Sequence, residues 1–120
     1  MHKERVVIRI KADGEFRLYP CQGETLPLAK LQELVGGYIE AVGSVLGEGW
    51  SREEGECIVM LVNEEGKLLG LPVNANATML SALWEDVIAG DALLMASKGE
   101  ELFGLTREAA ENIVKRWAGK

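Results

Sequence analysis

The chain has 120 residues, 48% of them hydrophobic, and carries a net charge of −6. That length fits one globular domain over 1–120, burying roughly two thirds of its unfolded-chain surface without needing a metal or a disulfide. Lys and Arg are scattered without a run of three, so there is no cationic stripe to neutralise a phosphate backbone, and direct nucleic-acid binding is not expected. Imitation of nucleic acid would need carboxylates massed on one face, whereas they are spread among turns and predicted helix ends. No secretory signal or membrane span is visible, so cytoplasmic placement without membrane contact is expected. Cys21 and Cys57 lack metal or redox spacing and read as reduced thiols.

Val6, Ile8 and Ile10 alternate with Val7, Arg9 and Lys11, and Asp13-Gly14 then turns the chain into Phe16 and Leu18. This is a strong hairpin signal, with Pro20 ending the second strand. Leu28, Leu31, Leu34 and Val35 recur at helical spacing. Thr25 can cap that helix, and Pro27 suits its first turn. Carrying the helix through Gly36-Gly37 to Val42 would cost about 1 kcal/mol per glycine relative to alanine. The cheaper solution ends it at Val35 with a left-handed glycine and starts a strand over Tyr38 to Val42. Residues 43–56, with four glycines, predict a flexible loop between two paired strands. Within it, Trp50 is either an anchor on the core or an exposed contact residue.

The segment from Cys57 to Thr78 reads as a hairpin. The run from Ile58 to Val62 is reversed by Asn63-Glu64-Glu65-Gly66, with Gly66 at positive φ, and the return run from Lys67 to Leu71 is stopped by Pro72. If the chain stays extended afterwards, Asn74, Asn76 and Thr78 lie on one side. Met79, Leu80, Leu83 and Trp84 suggest a short helix capped by Asn76 or Thr78. A turn at Gly90-Asp91 precedes a buried strand from Ala92 to Ala96, and Ser97 to Glu100 turn it into a short strand or edge over Leu102 to Leu105. Thr106 caps a last helix with Glu108 near its start, Lys115 and Arg116 near its end, and an apolar stripe of Ala110, Ile113, Val114 and Trp117. Gly119 closes it. These elements predict an α+β domain with a mainly antiparallel sheet built from hairpins and two or three packed helices.

Little here carries catalytic chemistry. The one histidine, His2, sits at a terminus expected to fray, so neither a Ser-His nor a Cys-His pair is expected. Metal-binding and phosphate-loop spacings are missing, so no metal or cofactor is expected. Glu40 could act as a base if burial raised its pKa; a solvated strand face is the simpler account. Asn74 and Asn76 either contact a ligand or bond nearby backbone in turns and caps.

The stretches LQELVGGYIE (Leu31 to Glu40), VNEEGKLLGLPVNANAT (Val62 to Thr78), IAGDALL (Ile88 to Leu94) and GLTREAAENI (Gly104 to Ile113) resemble, in order and spacing, domain-of-unknown-function family 3846 of bacteria and phages. The resemblance covers roughly residues 5–115, and residues 43–56 look longer than a plain member would have. It implies a small α+β domain, often carried by phages or mobile elements, with no established activity or cofactor. By motif match it draws attention to Gly37, Tyr38, Glu40, Asn63, Gly66, Pro72, Asn74, Ala77, Thr78, Gly90 and Asp91.

The absence of evident catalytic groups favours a non-enzymatic module that binds a protein or a small polar ligand. Its candidate contacts are Tyr38, Glu40, Asn74, Asn76, Thr78 and Asp91, with Trp50 added from the loop. One alternative is a small enzyme using Glu40 or Asp91 with asparagine donors on a nucleotide- or sugar-like substrate, which requires these groups to converge. Another is a homodimeric accessory pairing through a strand edge or the Trp117 helix.

Overall fold

The alternation in β1 (Arg5–Ile10) decides the architecture, because β1 lies inside the sheet and its two faces meet different helices. Val6, Ile8 and Ile10 pack among the buried residues of α2 (Ala75–Leu80) and α3 (Arg107–Trp117). Val7 points the other way, towards Leu31, Leu34 and Val35 of α1 (Leu28–Val35). Each large side chain removed from water in these two layers contributes roughly 1.5–3 kcal/mol. The computed structural model describes residues 4–51, 53–83 and 86–118; His2, Trp84 and Gly119 lie outside the described residues.

The remaining strands are β2 (Phe16–Pro20), β3 (Ile39–Gly47), β4 (Cys57–Asn63), β5 (Ala92–Lys98), β6 (Glu101–Phe103) and β7 (Leu105–Thr106). They form one seven-stranded sheet in the order β2-β1-β5-β4-β3, with β6 beside β5 and β7 beside β1. Every strand pair is antiparallel. The chain is thus a single compact α+β domain, with three helices on an antiparallel sheet. No helix among the described residues is long and apolar enough to cross a membrane.

Several expected elements form as the residues dictate. β1 and β2 pair across the Asp13-Gly14 turn. α1 stops at Gly36, whose φ of 82° is left-handed and whose N–H bonds the carbonyls of Gln32 and Glu33. Thr106 caps α3, accepting the Ala109 N–H at 3.2 Å. The start of α1 differs: Pro27 is the capping residue, and Thr25 bonds only the neighbouring Leu26 carbonyl.

Three expectations in the middle of the chain are corrected. Lys67 to Leu71 is not a return strand. β4 lies between β3 and β5, and the slot is filled by the buried run Ala92 to Ala96, a better partner for a strand covered on both faces. The 64–70 segment folds on itself instead, with Leu69 N–H bonding Glu65 O and Leu71 N–H bonding Gly66 O. The strand that begins at Ile39 also runs on to Gly47, into the predicted loop. Its register steps from Gly43 opposite Val59 to Gly47 opposite Ile58, so a bulge absorbs Ser44, Val45 and Leu46. Finally, α2 begins and ends earlier than its apolar spacing suggested, and its cap is Asn74 rather than Asn76 or Thr78. After Leu80 the chain turns extended and docks on β3, with Ala82 N–H bonding Gly43 O.

The connection after Gly47 is anchored rather than loose. The Trp50 ring stands edge-on to Trp117 with centroids 4.7 Å apart, and the Ser51 hydroxyl donates to Glu48 O at 3.0 Å. At its far end Glu56 takes the Arg5 guanidinium in a two-pronged pair of 3.0 and 3.3 Å. Both side chains are mostly buried. The Arg5 pKa is raised, first by this bond and against the effect of burial.

Glu56→Ala strands that guanidinium and should lower stability by about 3 kcal/mol, read as a fall in the denaturant midpoint. The double variant Arg5→Met/Glu56→Leu should regain most of the loss. A double variant as unstable as Glu56→Ala would show that the charges are not the cause.

Candidate functional site

The antiparallel registers bring the C-terminal ends of β1 and β4 and the N-terminal ends of β3 and β5 to one end of the sheet. The segments 64–74 and 86–91 meet there and are laced together by main-chain bonds. Gly90 N–H bonds Pro72 O at 2.7 Å, and Asn74 N–H bonds Ile88 O at 2.8 Å. Gly66 serves this contact rather than the positive φ expected of it, which Gly70 adopts nearby. A β-carbon at Gly66 would sit 2.4 Å from the Ala89 carbonyl oxygen.

Two buried amides fasten this end. Asn63 donates to Val35 O at 3.1 Å and accepts from Glu65 N–H at 2.8 Å, tying the end of α1 to β4. Asn74 donates to Ile10 O at 2.8 Å and Gly90 O at 3.0 Å, and accepts from Ala77 N–H at 3.0 Å. It is only 1% exposed. Its polar atoms are therefore committed to main chain.

Two clefts flank this laced end, on opposite sides of the sheet. One, of about 250 Å³, is lined by Arg9, Ala12, Gly36, Leu71, Pro72 and Asp91. Asp91 accepts the Ala12 N–H and pairs with Arg9, each at 2.8 Å, and Arg9 also donates to the Tyr19 hydroxyl at 3.0 Å. Burial pushes the Tyr19 hydroxyl pKa up, but the bonds and charges of Arg9 and then Arg17 together outweigh it, leaving it below its ordinary value. The other cleft, of about 200 Å³, is lined by Glu40, Val62, Glu64, Leu68, Leu83 and Val87 among others. Lys67 and Asp86 also line it and form an ion pair. That pair, then the Val87 N–H, hold the Asp86 carboxyl below its usual range.

The sequence-predicted residues thus fall into separate environments. Glu40 and Asp91 line different clefts, and the Asn74 amide serves main chain, so these groups do not converge. Tyr38 and Glu40 are exposed at the start of β3. Thr78 accepts the Ile88 N–H at 2.9 Å and also lines a third cleft, beyond Leu83. Asn76 is half-buried on α2. Because 75–80 is helical, Asn74, Asn76 and Thr78 do not share one extended side. Trp50 sits at the opposite end of the sheet, where β3 ends and β4 begins, packed on α3. Among the described residues no three His, Cys, Asp or Glu side chains cluster as metal ligands, and Cys21 and Cys57 are both free.

Periodicity missed an apolar band. Val45 of β3, Met79 of α2, and then Leu83, Val87 and Leu68 are all exposed, and Leu68 is 86% exposed. Leu83 joins the cleft beside Glu40 to the third cleft, of about 360 Å³, which Val45 and Met79 also line. The signal was the Leu68-Leu69 pair beside Gly70, which a turn places outside the core.

Asn74→Ala should cost about 2–4 kcal/mol, since it removes a helix cap and leaves two buried carbonyls unpaired, whereas Asn76→Ala should stay within about 0.5 kcal/mol. Urea unfolding of both variants checks this, and equal effects would contradict the assigned roles.

No curated protein and no solved structure matches the chain. The family profile described as "Domain of unknown function (DUF3846)" matches residues 5–118, nearly the whole sequence. The chain belongs to that family.

Proposed function

We propose that this protein is a non-enzymatic docking module that holds a partner protein on the apolar band running from Val45 and Met79 through Leu83 to Val87 and Leu68. The observation that carries it is the exposure of these five large side chains around two clefts joined at Leu83. Single exposed apolar residues are ordinary, but a contiguous set rimmed by polar groups is the signature of an interaction surface. Here the rim is Glu40, Glu64, Lys67 and Asp86. The placement of Glu40 and Asp91 in separate clefts weakens the enzymatic alternative. The docking reading keeps Glu40 and Thr78 as contacts and leaves Asn74 as the brace behind them.

Met79→Asp/Leu83→Asp puts two carboxylates into the band without touching the buried core. Partners retained by the wild-type protein from host extract would be purified and titrated against both forms. The double variant should bind at least about tenfold more weakly, a loss of 1.4 kcal/mol or more. A purified partner that binds both forms alike, or retention of none, refutes the proposal.

A further inference from the structure

β3 is the last strand of the sheet, so one side of its backbone faces away from β4. Which residues face outward follows from two bonds. Tyr38 O accepts the Glu64 N–H on the β4 side, whereas Gly43 O accepts the Ala82 N–H on the other. Antiparallel strands alternate these directions residue by residue. Ile39 and Ala41 therefore aim their N–H and C=O groups outward, and among the described residues no bond engages those groups. The exit of α2 already pairs with this edge further along, at Ser44 and Ser81. The usual devices that blunt an edge, proline, lysine or a bulge, are absent from Ile39 to Val42, and the bulge comes only after Gly43.

Beside this open stretch lies the cleft lined by Glu40 and Leu83. Glu40 is opposite Val62 in the ladder, on the face of the sheet covered by α2. At about 200 Å³ the cleft is below the roughly 300–1,000 Å³ of small-molecule sites but has room for one long side chain. Val62, Leu83 and Val87 offer apolar wall to a methylene stem, and the exposed carboxylates of Glu40 and Glu64 offer an end for a cation. Lys67 does not compete for them, because it is paired with Asp86. Charge also decides against a second copy of this chain as occupant. Pairing two β3 edges about Ile39 to Ala41 would bring their Glu40 carboxylates together in a protein already at −6.

Resting on the docking reading above, we propose that the partner contributes an extended segment that adds to β3 along Ile39 to Ala41. It sets one Lys or Arg side chain in the cleft beside Glu40 and lays its apolar residues towards Leu83. Main-chain bonds to Ile39 and Ala41 supply affinity, and the cationic side chain supplies selection.

The test uses the full chain and synthetic nine-residue peptides of alternating Thr and Val whose central residue is Arg, norleucine or Glu. Fluorescence polarisation should rank Arg tightest and Glu weakest, with about tenfold or more between them. Binding should shift the Ile39 and Ala41 amide resonances. Glu40→Lys, with circular dichroism confirming its fold, should reverse the Arg–Glu order. N-methylation of the peptide on alternate amides should abolish binding in one phase and spare it in the other. No binding by the Arg peptide, or a preference that Glu40→Lys leaves unchanged, overturns strand addition. If a purified partner still requires Met79 and Leu83 but ignores Glu40→Lys, the docking surface stands and this proposal alone falls. If it ignores both changes, both fall.

Discussion

The carboxamide of Asn74 is the contact on which the laced end of the sheet depends. One buried side chain bonds the last carbonyl of β1, the carbonyl of Gly90 just before β5, and the first turn of α2. Those three segments are distant in sequence, and each would otherwise present an unpaired polar group away from water. Such a group costs more unpaired than it contributes when paired, so a three-way bond of this kind is effectively obligatory once the segments are buried. Asn63 does the same for α1 and β4. With both amides in place, the loops 64–74 and 86–91 form a fixed rim rather than two independent excursions.

Close approach completes that rim. The missing side chain of Gly66 admits the Ala89 carbonyl, and Gly90 both takes a φ of 90° and lies against Leu71, where a β-carbon would come within 2.8 Å of its side chain. The consequence is displacement of apolar residues outward. With the chain folded on itself between Glu65 and Leu71, Leu68 and Leu69 have no interior to enter. The exposure of Leu68 and Leu69 is thus a by-product of how the 64–71 loop is braced.

Much of the fold was legible because local and tertiary preferences agree there. Asp13-Gly14 between alternating runs, Gly36 at the end of α1, and Thr106 with its charge-matched helix each specify one local geometry, which packing then keeps. The middle of the chain was less legible because the deciding contacts are long-range. Lys67 to Leu71 has a strand's composition, but whether it pairs depends on Ala92 to Ala96, a run 25 or so residues away that fits β4 better. The bulge in β3 is bracketed by Gly43 and Gly47, which read equally well as loop residues. As for the site, the motif residues were found but several of their roles were not: a buried amide cap and an exposed amide contact look identical in sequence, and only the helix starting at Ala75 distinguishes them.

The two edges of the sheet are treated differently, and the difference bears on where a partner can sit. β2, at one edge, ends in Pro20 and carries Arg17, paired with Glu15 at 2.7 Å. Proline removes a donor and the charged pair holds solvent against the strand, both of which discourage pairing. β3, at the other edge, is guarded along its second half by the exit of α2 and by its own bulge, while among the described residues nothing bonds the outward groups of Ile39 and Ala41, which flank Glu40. An edge left wholly bare would invite indiscriminate pairing, while one closed throughout could admit nothing. In the proposed strand addition, Glu40 would make the short opening selective, its charge repelling acidic strands, including a second β3, at little cost to a cationic one. This stretch also adjoins the apolar band at Leu83, so under that proposal main-chain pairing and side-chain burial would act on the same incoming segment.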